Sequence, residues 1–221
     1  PFNGTTHTLD EGNRRYAPLD EINTANAGSL AVKWAFNAPA ADNIGRGTPL
    51  AVDGVLYFNS GSKLFAVDGA TGEQRWVTNI DPPFPANGRG PVYADGKIYA
   101  YGLTVMYAVD AKTGKVVESF GNKGRLLVAD AALNAKYGNK DAKDARGYII
   151  AAPPAVHEGT LYLGLAVSEA HIPGGLVVAI DSRTGAVKWV FNTVPQGPND
   201  EGWEIRSEEH TSELQSHSFI S

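Results

Sequence analysis

Apolar and polar residues alternate in short runs along most of the chain, which is the period of two expected of half-buried β-strands. The alternation is clearest in residues 48–68 (TPLAVDGVLYFNSGSKLFAVD), 89–110 (RGPVYADGKIYAYGLTVMYAVD), 153–167 (PPAVHEGTLYLGLAV) and 174–181 (GGLVVAID). Asp53-Gly54, Asp95-Gly96 and Glu158-Gly159 interrupt these runs and are typical of two-residue hairpin turns. The pattern therefore predicts an all-β chain of consecutive antiparallel hairpins.

One motif of the form Ala-x-Asp-x-x-Thr-Gly occurs three times, and in two copies a tryptophan follows. The copies are AVDGATGEQRW (66–76), AVDAKTGKVVE (108–118) and AIDSRTGAVKW (179–189), whose aspartates lie 42 and then 71 residues apart. A four-stranded propeller blade takes about 40–45 residues. The spacing predicts about three blades of a β-propeller after an N-terminal lead-in, with an insertion of about thirty residues in the longer interval. A β-sandwich fits the alternation but not the period.

Each copy of the motif also predicts its own turn and its own packing contact. The aspartate is expected to accept backbone hydrogen bonds across the turn, and the glycine to supply a positive φ. Trp76 and Trp189 follow at a fixed offset, where a flat ring can pack between neighbouring blades. The second copy has Glu118 at that offset and Phe120 close by, so its contact must be built differently.

Composition and charge exclude several classes of function. The net charge of −5 and pI near 5.5 argue against nucleic-acid binding, which needs a basic face. The absence of cysteine excludes disulfides, thiolate metal sites and covalent c-type haem within this segment. No apolar run approaches the roughly 20 residues that span a bilayer. His7, His157 and His171 stand alone in the sequence and are predicted to be surface or packing residues.

The last sixteen residues, 206–221 (RSEEHTSELQSHSFIS), break the pattern of the preceding chain. They contain no glycine and no strand alternation, and their first letters resemble a translated sequencing adapter. We expect residues 1–205 to be the N-terminal part of a propeller and 206–221 to be an artefactual tail. A native polar tail is the alternative.

Two further segments make a resemblance specific. These are residues 10–36 (DEGNRRYAPLDEINTANAGSLAVKWAF), whose final Trp-x-Phe is expected to form a strand, and residues 174–203 (GGLVVAIDSRTGAVKWVFNTVPQGPNDEGW). Together with the repeats, they resemble the quinoprotein alcohol and glucose dehydrogenases that depend on pyrroloquinoline quinone (PQQ), over residues 7–205. The resemblance implies an eight-bladed propeller in the periplasm, holding PQQ and Ca²⁺. It also implies oxidation of an alcohol or sugar hydroxyl, with electrons passed to a quinone or cytochrome.

The resemblance also implies roles for particular residues. Arg89, in Asn-Gly-Arg-Gly, matches the family arginine that reaches the cofactor, and a guanidinium binds carboxylates such as those of PQQ bidentately. Glu169 matches the carboxylate that coordinates calcium, a cation that prefers oxygen ligands. Ser168 beside it is a candidate to hydrogen-bond the cofactor. Arg46 stands where the family often has glutamate, and either binds a cofactor carboxylate or marks a different substrate pocket.

Other parts of the family site have no counterpart in this segment. The family's general-base aspartate, calcium-binding asparagine and cofactor-stacking tryptophan lie C-terminal to the matched region, so no catalytic residue is assigned here. Asp200 and Trp203 are not given those roles. The missing cysteine pair of methanol dehydrogenases favours the branch that oxidises sugars or a broad range of alcohols. Membrane association is not encoded in this segment and stays open. The alternative function is a non-catalytic propeller scaffold. The Arg-Tyr-Ala-Pro-Leu lead-in argues against this alternative.

Overall fold

The computed structural model describes residues 4, 14, 16–38, 47–80, 89–138, 147–166 and 174–205, which form three antiparallel sheets. The first sheet contains β1 (Leu50–Val52), β2 (Val55–Ser60), β3 (Lys63–Asp68) and β4 (Gln74–Asn79). The second contains β5 (Val92–Ala94), β6 (Lys97–Tyr101), β7 (Val105–Asp110) and β8 (Arg125–Leu127). The third contains β9 (Ile149–Ile150), β10 (Ala155–His157), β11 (Thr160–Ala166), β12 (Leu176–Asp181) and β13 (Val187–Asn192). The prediction of about three four-stranded blades is confirmed.

Each blade is a simple meander in which consecutive strands pair. The strand orders are β1-β2-β3-β4, β5-β6-β7-β8 and β10-β11-β12-β13, with β9 pairing the far end of β11. The three predicted hairpin turns are present. Asp53, Asp95 and Glu158 have φ of 48°, 49° and 43°, and each is followed by a glycine that also has a positive φ. Two consecutive positive φ values match the twist of the flanking strands, which is why these turns keep the strands paired.

The hydrophobic core runs continuously through the three blades, because each sheet buries residues against its neighbour. The fully buried side chains include Leu50, Leu64, Ile98, Met106, Leu161 and Ile180. Burying one such side chain stabilises the fold by about 1.5–3 kcal/mol.

Trp34, from the N-terminal segment, packs against the first blade. Its indole Nε1–H donates to the carbonyl of Gly69 at 3.1 Å. Its ring covers Gly72, where a Cβ atom would lie only 2.6 Å from ring carbon Cδ2. The glycine of the repeat turn is therefore required by the tryptophan that rests on it, as well as by its φ of 77°.

Trp76, on β4, makes the same contact with the second blade. Its Nε1–H donates to the carbonyl of Ala111 at 3.0 Å, and the Tyr57 hydroxyl donates to the same oxygen at 3.1 Å. A Cβ atom on Gly114 would lie 2.7 Å from the Trp76 ring. The predicted packing of tryptophan between blades is confirmed for Trp76.

The second and third blades meet without a tryptophan, as Glu118 and Phe120 indicated. After Val117 the chain leaves the sheet and returns as β8, which pairs only with the first residues of β7. Phe120 lies in this excursion, fully buried and edge-on to Tyr99 at 5.6 Å between ring centroids. The adjacent Gly121 donates its N–H to the Thr184 carbonyl at 2.8 Å. A phenyl ring and a backbone hydrogen bond thus take the place of the indole.

Two features differ from the sequence expectation. Helix α1 (Val128–Tyr137) follows β8 and packs against β13, in the interval where only an insertion was expected. The Trp-x-Phe segment, expected to be a strand, forms no strand within the described range 30–38. Side chains hold it instead: Phe36 contacts Phe58 and Phe65 at 5.6 and 5.5 Å between ring centroids. Among the described residues, no helix is long and apolar enough to cross a bilayer.

Candidate functional site

The three blades share one orientation, which separates two faces of the molecule. The repeat turns at 68–72, 110–114 and 181–185 lie on one side, here called the turn face. The opposite side, here called the site face, carries the ends of β2, β6 and β11 and the starts of β1 and β5. Two blades touch directly on the site face, because Ile150 donates its N–H to the carbonyl of Leu103 at 2.6 Å.

In the sequence, the residues that the resemblance assigned stand next to strands that begin or end on the site face. Arg89 comes just before β5 and is described. Arg46 lies just before the described stretch that begins at 47, and Ser168 and Glu169 lie between β11 and β12. These three residues lie outside the described residues, so their assignments stay predictions. The structure therefore positions one of the four candidates.

Arg89 stands on a rigid support beside the first blade. Its carbonyl accepts the N–H of Thr48 at 3.2 Å, which joins the starts of the first two blades. Gly90 next to it has a φ of 100°, and a Cβ atom there would lie 2.3 Å from the Thr48 carbonyl oxygen. Only glycine fits this close approach. The backbone is fixed, and the Arg89 side chain is exposed on the site face.

Tyr101, at the end of β6, was not singled out from the sequence. It is 5% exposed, and burial raises the pKa of its hydroxyl, although the guanidinium and backbone N–H of Arg89 act to lower that pKa. The hydroxyl therefore stays protonated at neutral pH. It is buried without a hydrogen bond of good geometry to any described residue, and the same holds for the Ser60 hydroxyl at the end of β2. Alternating strand patterns give no signal for such groups, because tyrosine and serine there look like ordinary strand residues.

Asp200, left without a role by sequence reasoning, lies in a buried polar network. Burial raises the pKa of this carboxyl, but the N–H of Gln196 and the side chains of Lys136 and Tyr137 lower it by more than burial raises it. The pKa of Asp200 is therefore below its usual value. Its side chain is 2% exposed and forms an ion pair with Lys136 at 3.1 Å. Lys136 and Tyr137 lie more than sixty residues from Asp200 in sequence, so no local motif reveals these contacts.

The described residues hold no group of three or more His, Cys, Asp or Glu side chains that could bind a metal ion. His157 is exposed, at 3.8 Å from Glu158, in agreement with its predicted surface position. The exposed guanidinium of Arg89 fits an anionic group such as a carboxylate. A calcium site would need the oxygen ligand Glu169, which lies outside the described residues.

Comparison with known proteins gives a family match over nearly the whole chain. The family model described as "PQQ: Glucose/ethanol/alcohol dehydrogenase, beta-propeller domain" matches residues 5–220. That range runs through the segment 206–220, whose assignment as an artefactual tail stays a prediction.

Curated relatives and a solved structure agree with this match. The chain is 35% identical to the dehydrogenase subunit of a quinone-type alcohol dehydrogenase from Gluconacetobacter polyoxogenes, over 90% of the chain and 26% of that protein. It is 36% identical to the corresponding subunit from Gluconobacter oxydans (strain 621H), over 84% of the chain and 24% of that protein. The quinohemoprotein alcohol dehydrogenase of Comamonas testosteroni superposes with a TM-score of 0.72 at 26% identity, over 90% of this chain and 28% of that one. The chain thus spans about a quarter of the length of the curated relatives it matches.

Proposed function

The chain belongs to the PQQ glucose/ethanol/alcohol dehydrogenase β-propeller family, and on that premise we propose that the whole protein is a PQQ- and Ca²⁺-dependent dehydrogenase of alcohol or sugar hydroxyls. It works in the periplasm and passes electrons to a quinone or cytochrome. When bound, PQQ accepts the two electrons removed from the substrate, and Ca²⁺ acts beside it as a Lewis acid. Family membership favours this enzyme over the non-catalytic scaffold.

The observation that carries the proposal is the geometry of Arg89. Its backbone is fixed by Thr48 and by the close approach at Gly90, so the side chain starts from a defined point on the site face. When this guanidinium binds a cofactor carboxylate, only the side chain has to be ordered, because the backbone that carries it is already fixed. In this proposal Arg89 clamps one carboxylate of PQQ, and Arg46 either contacts another carboxylate or borders the substrate pocket.

Tyr101 and the metal residues complete the proposed site. The buried, protonated Tyr101 hydroxyl lies close to the Arg89 backbone and supplies a donor rather than a second negative charge. Glu169 holds Ca²⁺ through a carboxylate oxygen, and Ser168 hydrogen-bonds the cofactor. The carboxylate base that takes the substrate proton is supplied by a part of the protein outside this chain.

Binding of PQQ to Arg89 variants of the full-length protein tests the proposal. Loss of a charge-assisted hydrogen bond costs about 1.5–3 kcal/mol, so Arg89→Gln should weaken PQQ binding about ten- to a hundredfold. Arg89→Lys keeps the charge but loses the fork, and should fall between Arg89→Gln and the unmodified protein. Binding is measured by equilibrium dialysis of apoprotein with PQQ.

Arg183→Gln is the matched control, because Arg183 is an arginine on the turn face, with a side chain 76% exposed. It should bind PQQ like the unmodified protein. Equal affinity of Arg89→Gln and Arg183→Gln would contradict the role of Arg89. Glu169→Gln should lose Ca²⁺ binding. It should keep the PQQ affinity that Arg89 provides.

A further inference from the structure

Tyr101 differs from Tyr57 and Tyr99 in what its buried hydroxyl does. The hydroxyls of Tyr57 on β2 and Tyr99 on β6 each donate to a backbone carbonyl of the next blade, at 3.1 and 2.5 Å. Tyr101 follows Tyr99 by two residues on the same face of β6 and is 5% exposed. Its hydroxyl makes no hydrogen bond of good geometry to any described residue. A buried hydroxyl without a partner is costly, so this one requires an explanation.

The Tyr101 hydroxyl lies beside the Arg89-Gly90 segment. β5 pairs with β6 through Val92 and Tyr99, and the same register two residues further on sets Gly90 opposite Tyr101. Burial raises the pKa of the Tyr101 hydroxyl, and the guanidinium and backbone N–H of Arg89 act to lower it, so both Arg89 groups lie near its oxygen. A backbone N–H is a donor and a phenol oxygen is an acceptor, so a small change in alignment pairs them.

The Arg89 backbone is also held from the first blade. Its carbonyl accepts the Thr48 N–H at 3.2 Å, and the close approach of Thr48 to Gly90 leaves no room for a Cβ atom. Thr48 therefore fixes the carbonyl side of Arg89, and Tyr101 of the second blade faces its N–H side. Anchors on both sides of one residue set the direction in which its side chain leaves the backbone.

We propose that Tyr101 is a positioning residue for Arg89: its hydroxyl oxygen accepts the Arg89 N–H and so directs the guanidinium toward a carboxylate of PQQ. This inference rests on the proposed function, in which Arg89 clamps that carboxylate. Hydrogen bonds at catalytic sites are often long or poorly aligned without the ligand and tighten when it binds. The poor alignment at Tyr101 is the state expected before the cofactor binds.

The test compares PQQ binding and stability in the full-length apoprotein. Tyr101→Phe keeps the ring and removes a hydroxyl that has no well-formed bond to lose, so the urea midpoint of the apoprotein should stay unchanged. PQQ binding, measured by equilibrium dialysis, should weaken about two- to tenfold, which is the effect of one hydrogen bond. In the Arg89→Gln background the same substitution should leave PQQ binding unchanged, because the guanidinium that it positions is gone.

Tyr99→Phe is the matched control, because it removes a hydroxyl from the same strand that does have a partner, the Ser182 carbonyl. Its urea midpoint should fall, while its PQQ affinity should stay unchanged. The positioning role is overturned if Tyr101→Phe binds PQQ as tightly as Tyr99→Phe. It is also overturned if Tyr101→Phe weakens PQQ binding equally with and without Arg89. In both cases the proposed function stands. If the unmodified protein binds no PQQ, the proposed function fails, and the inference fails with it.

Discussion

The aspartate of each repeat shows how one side chain organises a turn. Oδ1 of Asp68 accepts the N–H groups of Ala70 and Thr71 at 2.9 and 3.0 Å. Asp110 and Asp181 make the equivalent pairs of bonds in their own turns. These bonds form to the ionised carboxylate, which lowers its pKa. The predicted role of the aspartate in the repeat is confirmed.

Acid should weaken these turns in a defined pH range. The side-chain hydrogen bond from Arg75, followed by the backbone bonds of the turn, lowers the pKa of Asp68 to about 2 from an ordinary value of 3.8. A lowered pKa means that the stabilisation is complete above the ordinary value and is lost as the pH falls towards about 2. As the pH is lowered, the urea concentration at the midpoint of unfolding should therefore fall less steeply for full-length Asp68→Asn than for the unmodified protein. Arg75→Gln should show part of this effect, and a decline as steep as that of the unmodified protein in both variants would contradict this explanation.

Gly114 and Gly96 form a matched pair for measuring the contact between blades. Both have a positive φ, of 72° and 75°, but a Cβ atom meets the Trp76 ring only at Gly114, and nothing lies within 4 Å of it at Gly96. Gly96→Ala should cost about 1–2 kcal/mol for the left-handed backbone alone. Gly114→Ala should cost about 1–3 kcal/mol more, because the indole must move. Chemical denaturation of the two variants checks this, and equal losses would show that the Trp76 contact is dispensable.

At the scale of elements, the interrupted fourth strand of the second blade is the main departure from the repeat. Phe120 takes over the contact between the second and third blades, so Phe120→Ala should destabilise the full-length protein by about 3–5 kcal/mol. Leu127→Ala, at a 43%-exposed position on β8, is the control and should cost far less. Urea unfolding monitored by circular dichroism measures both losses of stability. Similar losses in the two variants would mean that Phe120 does not provide the contact between the second and third blades.

The elements that the sequence predicted are those specified by neighbouring residues. Hairpin turns such as Asp53-Gly54 and the repeat turns depend on local chemistry, and all were found. Helix α1 begins at Val128 after a residue that makes no side-chain cap, so its start carries no signal. The Lys136–Asp200 pair depends on contacts across more than sixty residues and cannot be seen in a repeat. For the candidate site, Arg89 was predicted on its motif, whereas Tyr101 needed the fold to bring it near.

At the scale of the whole molecule, the third blade presents an aromatic face. Trp189 and Phe191 are 47% and 40% exposed, and Trp189 contacts Tyr162 much as Trp76 contacts Tyr57. In the first blade that arrangement is covered by the next sheet. The face of the third blade is thus built like a contact surface, in keeping with a chain that spans about a quarter of its relatives.

Produced alone, residues 1–205 should self-associate through this face, because contiguous exposed apolar surface drives association. The double variant Trp189→Gln/Phe191→Thr should reduce light scattering at a given concentration. Val77→Thr, which removes a single 42%-exposed apolar residue from the first blade, is the control and should change little. Scattering that stays unchanged in the double variant would place the association elsewhere on the chain.

The contacts that the N-terminal segment and the blades make with later parts of the chain also determine the order of folding during synthesis. Trp34 and Trp76 each reach a carbonyl 35 residues later in the chain, whereas the Tyr99 hydroxyl reaches that of Ser182 across 83 residues. A ribosome adding about 5–20 residues per second delivers the first two partners about 2–7 s after each tryptophan, and the third about 4–17 s after Tyr99. After the partner of Trp76 has been made and before the partner of Tyr99 has been made, Phe120 of the second blade is not yet covered by the third blade. Chaperones should therefore capture nascent chains most strongly while the stretch of sequence that contains α1 is being synthesised.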